Sequence, residues 1–111
     1  MSTILSERRR FLKETLRHKA LEMLARAAEL LYAEGAEEVI AFGSVLKPEG
    51  FDEHSDVDIE VKGLGEEKKL AVERKLEDIF VDMPFDVVFL EDKVRAEIRK
   101  KIRREGTTWK R

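Results

Sequence analysis

The chain is expected to fold as an α+β domain in which a small mixed β-sheet is flanked by helices, in the order helix, strand, strand, helix, strand, helix. Three observations carry this. A long N-terminal segment repeats apolar residues every three or four positions, which is the period of a helix. Val39-Ile40-Ala41-Phe42 is an uninterrupted apolar run of strand length. Asp56, Val57, Asp58, Ile59, Glu60 and Val61 then alternate acid and apolar, which is the period of a strand packed on one face only.

From Thr3 to Glu34 the recurring positions are Leu5, Leu12, Leu16, Ala20, Met23, Leu24, Ala27, Leu30 and Leu31, giving one amphipathic helix or two set end to end. Ser2, Thr3 or Ser6 can cap its start, and Gly35 supplies a left-handed stop. Val39–Phe42 reads as a buried strand and Val57–Val61 as a second strand. Glu66 to Phe80 places Leu70, Leu76, Ile79 and Phe80 at helical spacing, and Pro84 breaks the pattern before a third strand, Phe85–Leu90. Asp92 is placed to cap a final helix through Val94, Ile98 and Ile102 that stops at Gly106. Trp109 is left in a tail, where it covers the core edge or an interface.

Residues 1–111 are expected to form one minimal domain with a long N-terminal helix, enough for a modest core and too few for a separate acceptor-binding domain. Charged residues make up 41% of the chain with a net charge of −2, which describes an ion-pair-laced surface and argues against a membrane role. No run approaches the ~20 apolar residues of a membrane span. Arg8, Arg9 and Arg10 are followed by no apolar core of the kind a signal peptide needs, so the expected compartment is the cytoplasm. Cysteine is absent, which excludes disulfides, thiolate catalysis and cysteine zinc sites. Abundant Glu, Lys and Arg with no Cys fit a heat-adapted source.

The chemistry is concentrated in Gly43-Ser44, in Asp56 and Asp58, and in Asp86. Two residues apart on a strand, Asp56 and Asp58 project from one face ~7 Å apart along the backbone. With Asp86 from a neighbouring strand they make an acidic trio able to hold two divalent cations ~4 Å apart, the arrangement used for in-line displacement at phosphorus. Gly43 serves either as a turn glycine after a strand or, with Ser44 behind it, as a phosphate cradle of backbone amides. Asp56 and Asp58 have a plainer reading too, a solvated acidic stripe that Glu60 continues. Asp86 weighs against it, because an aspartate opening the apolar run Val87-Val88-Phe89-Leu90 is costly to bury without a cation or hydrogen bonds.

Other readings fall away. Counted from Asp56, acids occupy positions one, three, five and twelve of a calcium loop, but Val61 stands where that loop needs glycine. His54 reads as a surface-loop residue and His18 as a solvated one. From Asp92 onward nine Lys or Arg, among them Arg95, Arg99 and Arg103, face three acids. Such a face suits nucleic acid or an acidic partner, although no aromatic platform accompanies it. P-loop, dinucleotide-binding and nucleophile-elbow patterns are all missing.

In the order Gly43, Ser44, Asp56, Asp58, Asp86, and from about Leu24 onward, the chain resembles the nucleotidyltransferases of the DNA polymerase β superfamily. It is most similar to the small minimal nucleotidyltransferases, including those that act as antitoxins. The resemblance implies a polymerase β-like fold, with Gly43 and Ser44 on the triphosphate of a nucleotide donor, expected to be ATP. Asp56, Asp58 and Asp86 become the catalytic and metal residues, with Mg²⁺ as the cofactor, two ions expected and Mn²⁺ able to substitute. The family often continues Gly-Ser with Arg and a small-residue turn. Here Val45-Leu46-Lys47-Pro48-Glu49-Gly50 follows, with Lys47 the candidate for the missing positive charge and Gly50 for the turn.

The resemblance further implies transfer of a nucleoside monophosphate to a hydroxyl acceptor on a partner, a helical HEPN-domain toxin. The alternative is a non-catalytic antitoxin or regulatory module with a degenerate nucleotide site; a basic RNA-binding adaptor is a third reading. Because the first helix exceeds what a small sheet can cover, its surplus apolar face is expected to meet a second copy, as a homodimer, or the partner.

Overall fold

Ala20, Leu24, Ala27 and Leu31 fall on one stripe of helix α1 (Ile4–Ala33) and are fully buried, which is why this segment is one continuous helix rather than two. The computed structural model describes residues 4–90, 104 and 106–109. Helix α1 ends in a Schellman turn: Gly35, at φ 107°, donates to the Tyr32 carbonyl at 3.1 Å, and the Ala36 amide donates to the Leu31 carbonyl at 3.0 Å. Lys68 Nζ donates to the Glu34 carbonyl at 2.7 Å, satisfying another C-terminal acceptor.

Strand β1 (Glu38–Phe42) follows, then a 3-10 turn at Ser44–Leu46, strand β2 (Val57–Lys62), a second 3-10 turn at Glu66–Lys68, helix α2 (Lys69–Ile79), strand β3 (Phe85–Leu90) and strand β4 (Thr107–Trp109). The described sheet has the order β3-β2-β1-β4. β1 runs antiparallel to β2 and β4, and β2 runs parallel to β3 through α2, so the sheet is mixed. The architecture is the expected α+β one.

One face of the sheet makes the core. Val39 and Ala41 of β1 and Val57, Ile59 and Val61 of β2 pack in a single cluster with α1 and with Val72 and Leu76 of α2. Across the top of α1 and α2, Lys75 Nζ meets Glu34 Oε1 at 2.7 Å, and that charge and hydrogen bond hold the Glu34 carboxyl below its ordinary range. Strand alternation turns the next residues of β1, β2 and β3 to the opposite face, where the acids stand. Among the described residues no helix is long and apolar enough to cross a membrane.

Two features depart from the sequence reading. Trp109 is not in an unstructured tail: it lies in β4, in register with Val39, and its carbonyl accepts a hydrogen bond from the Tyr32 hydroxyl. Three residues followed by Lys110 are too short for alternation to reveal a strand. Of the expected final helix, from Asp92 to its stop at Gly106, only Arg104, helical and exposed, and Gly106 are among the described residues.

Phe51 escaped notice because it sits alone between Gly50 and Asp52, without periodicity. Its side chain is fully buried. It anchors the long connection between β1 and β2, so the loop is fastened at its middle as well as at its ends. Truncation leaves a cavity beneath that loop. Phe51→Ala is expected to lower the unfolding free energy by about 3–5 kcal/mol, checked by urea denaturation of the two proteins side by side.

Candidate active site

Register assembles the site. β1 and β2 place Phe42 opposite Asp58, and β2 and β3 place Asp58 opposite Asp86, so a residue just before Gly43 and two carboxylates form one row across three strands. Val57, at the foot of β2, donates its N–H to the Pro84 carbonyl at 2.9 Å, which fixes the starts of β2 and β3 together. Asp56 lies one residue before β2 and is exposed.

Gly43 closes the gap between the loop and the acids. Its backbone sits at φ 85° and ψ −154°, a region glycine adopts without strain. A Cβ added there would stand 2.7 Å from Asp58 Oδ2, so a larger residue meets the carboxylate directly. The chain then enters the 3-10 turn Ser44–Leu46, whose first amides have no carbonyl partner within the turn. Val45 is fully buried beneath this turn, and its carbonyl accepts from Arg17 Nε of α1 at 2.9 Å. Nothing in the sequence pattern announces Arg17, since it contacts a loop 28 residues away.

The rest of the loop is built to turn. Lys47 is exposed at the end of the 3-10 turn, with its N–H donated to the Ser44 carbonyl at 3.1 Å. Gly50 brings the chain back tightly: a Cβ there would lie 2.9 Å from Lys47 Cβ. Asp52 Oδ1 accepts from the His54 amide at 2.8 Å and from Ser55 Oγ at 3.2 Å, and these bonds lower the Asp52 carboxyl below its ordinary range. His54 is a solvent-facing loop residue, 3.7 Å from Glu53.

The carboxylates sense one another. Burial first, then the charges of Asp86 and Asp56, raise the Asp58 carboxyl above its usual range. Glu60, two residues on and on the same face, is pushed up from 4.5 to about 7 by burial and by Asp86 and Asp58. Only 6% of Glu60 is exposed, and its Oε2 has no hydrogen-bond partner. The sequence reading expects Asp86 to be the buried acid. Instead Asp86 is exposed and Glu60 is buried, because β3 lies at an edge of the described sheet while β2 is flanked on both sides. The signal was present: Glu60 lies between Ile59 and Val61, both buried.

Among the described residues, no group of three or more His, Cys, Asp or Glu side chains is gathered as a ready cage for a metal ion. Mg²⁺ does not need one, since it is commonly held by one or two carboxylates together with substrate phosphates. Hard oxygen donors, with Asp58 and Glu60 both raised by burial and by neighbouring negative charge and one buried oxygen left unpartnered, fit such a cation.

A family model for polymerase beta nucleotidyltransferases matches residues 27–109, from the last two turns of α1 through β4. The chain belongs to that family. Its fold also superposes on a solved chain described as a candidate minimal nucleotidyltransferase, with a TM-score of 0.59 and 29% identity over 85% of this chain and 92% of the other. Among curated proteins, none matches. This nucleotidyltransferase therefore has the expected fold and family, with its Gly-Ser turn and its acidic row on the open face of the sheet.

With Glu60 at about 7 in the folded chain and near its ordinary 4.5 when unfolded, folding takes up a proton between those values. The associated stability is complete below the unfolded value and is lost as pH rises through the folded one, by at most about 3 kcal/mol. The metal-free protein in EDTA is expected to melt at progressively lower temperature from about pH 5 to about pH 8. Glu60→Gln, which removes the largest contribution, should flatten that profile in thermal melts.

Proposed function

We propose that the protein is a magnesium-dependent nucleotidyltransferase that moves a nucleoside monophosphate from ATP to a hydroxyl of a partner protein. The observation that carries this reading is the approach of Gly43 to Asp58, since 2.7 Å from a glycine Cβ position to Oδ2 brings the Gly-Ser turn against the carboxylate proposed to hold the cation. Family membership supports nucleotidyl transfer. When bound, the cation supplies charge neutralisation for the phosphates.

The chain's own residues then take distinct roles. Gly43 leaves room for the Asp58 carboxylate to stand against the turn, and the Ser44 amide and hydroxyl donate to phosphate oxygens. Lys47, exposed beside the turn, offers a positive charge to the donor's tail. Asp56 and Asp58 would hold the cation with Asp86 completing its shell, and Asp86, open to solvent, orients the incoming hydroxyl and takes its proton. The acceptor oxygen forms its bond to the α-phosphorus as the bond to pyrophosphate breaks.

Asp58→Asn is expected to abolish binding of Mg²⁺ with ATP in titration calorimetry. Asp86→Asn should retain or raise apo stability, since it relieves repulsion on Asp58 and Glu60, while transfer is lost. Calorimetric traces that match the wild type for Asp58→Asn would remove the site. A second reading, a non-catalytic antitoxin or regulatory module, draws on the absence of a ready three-acid cage among the described residues. It predicts no ATP turnover in the presence of the partner.

The partner in this proposal is a HEPN-domain toxin in the cytoplasm, and α1 is where a contact surface is available. At ~1.5 Å per residue α1 is ~45 Å long, more than twice a six-residue strand. Leu16 packs at the edge of the core, but Leu12 is 59% and Phe11 70% exposed. In the purified protein this face is expected to pair with a second copy. Light scattering should show a dimer for the wild type and a folded monomer for Phe11→Glu with Leu12→Glu; a wild type already monomeric at high concentration overturns the contact.

A further inference from the structure

Glu60 stands beside the proposed machinery without a role in it. It is 6% exposed, faces the same side of β2 as Asp58, and is in register with Ile40 of β1 and Val88 of β3. Neither of these apolar neighbours offers a proton, and Glu60 Oε2 is buried with no hydrogen-bond partner. A buried carboxylate oxygen left this way costs stability, whereas Leu or Val at the same place would pack without loss. Among the described residues nothing gives this acid a structural partner. A group that satisfies this oxygen has to bring positive charge or hydrogen-bond donors.

The neighbourhood specifies which. Asp58 and Asp86 lie in one row immediately beside Glu60, and three like charges at such spacing attract a divalent cation far more than any neutral ligand. The glutamate side chain is one carbon longer than aspartate, so it can lean along the strand toward that row. We propose that Glu60 is a positioning residue for the cation: it adds a further negative charge beside Asp58 and Asp86, and its free oxygen accepts hydrogen bonds from the ion's hydration shell. The inference rests on the assignment of Asp58 as a cation ligand. It adds that the affinity of this site is set partly from the interior of the sheet.

Mn²⁺ binding alone, followed by electron paramagnetic resonance and calorimetry without nucleotide, tests it. Wild type, Asp58→Asn, Glu60→Gln and Glu60→Leu are compared, with thermal melts in EDTA as a check on folding. The expected result is loss of binding in Asp58→Asn and a weakening of about 10–100-fold in both Glu60 variants, the range typical of residues behind the ligands. Both Glu60 variants should melt in EDTA at or above the wild-type temperature, which a purely structural acid would not produce. Wild-type Mn²⁺ affinity in both Glu60 variants, with binding lost in Asp58→Asn, overturns the role of Glu60 and leaves the site standing. Wild-type affinity in Asp58→Asn overturns the site and this inference together.

Discussion

Strand β2 carries opposite demands on its two faces, and the rest of the molecule is arranged to satisfy both. Val57, Ile59 and Val61 are fully or almost fully buried against the helices, while Asp58 and Glu60 point the other way. Because side chains alternate strictly, a slip of one residue would drive the carboxylates into the core and the valines out of it. Register is therefore fixed by the hydrophobic effect on one face, and the acidic row on the other inherits that fixity. Burial of apolar area on one side sets electrostatic geometry on the other, so the site has little need of side-chain bonds of its own to hold its acids in line.

This division explains what the sequence could disclose. Alternation from Asp56 to Val61 announced β2, and the run Phe85–Leu90 matches β3 residue for residue. Gly43, Asp58 and Asp86 were legible from their settings: a glycine ending a strand, an acid in a strictly alternating strand and an acid opening an apolar run. Burial was harder to read. Whether Asp86 or Glu60 would be shielded depends on which strand has neighbours on both sides, and strand order is not written in local pattern. Phe51, Arg17 and β4 were illegible for a related reason, since each is defined by a contact made far along the chain.

The loop between β1 and β2 shows how a segment without regular hydrogen bonding is nonetheless held in shape. It is tied at three kinds of point: the backbone turns around Ser44 and Lys47, the buried ring of Phe51, and the Asp52–Ser55 hydrogen bonds. Arg17 adds a fourth tie, from α1 to the Val45 carbonyl. The same helix carries Phe11 and Leu12 on its exposed face, about two turns away along its axis. One helix thus bears both the exposed apolar pair and the side chain that grips the turn beside Asp58.

Tyr32 has a bearing on the order in which the chain assembles. Its hydroxyl accepts from the Val39 amide at 3.1 Å and donates to the Trp109 carbonyl, joining the end of α1 to both the first and the last described strands. The first of these contacts spans 7 residues and the second spans 77. Closing a short loop is fast and costs little entropy, whereas a contact across most of the chain is slow to find and is rewarded only once both of its surfaces exist. Tyr32 and β1 thus form a finished docking edge well before β4 reaches it. Loop-closure entropy therefore favours β4 as the late addition to the sheet, and β4 makes no pairing with β2 or β3, the strands that carry Asp58, Glu60 and Asp86.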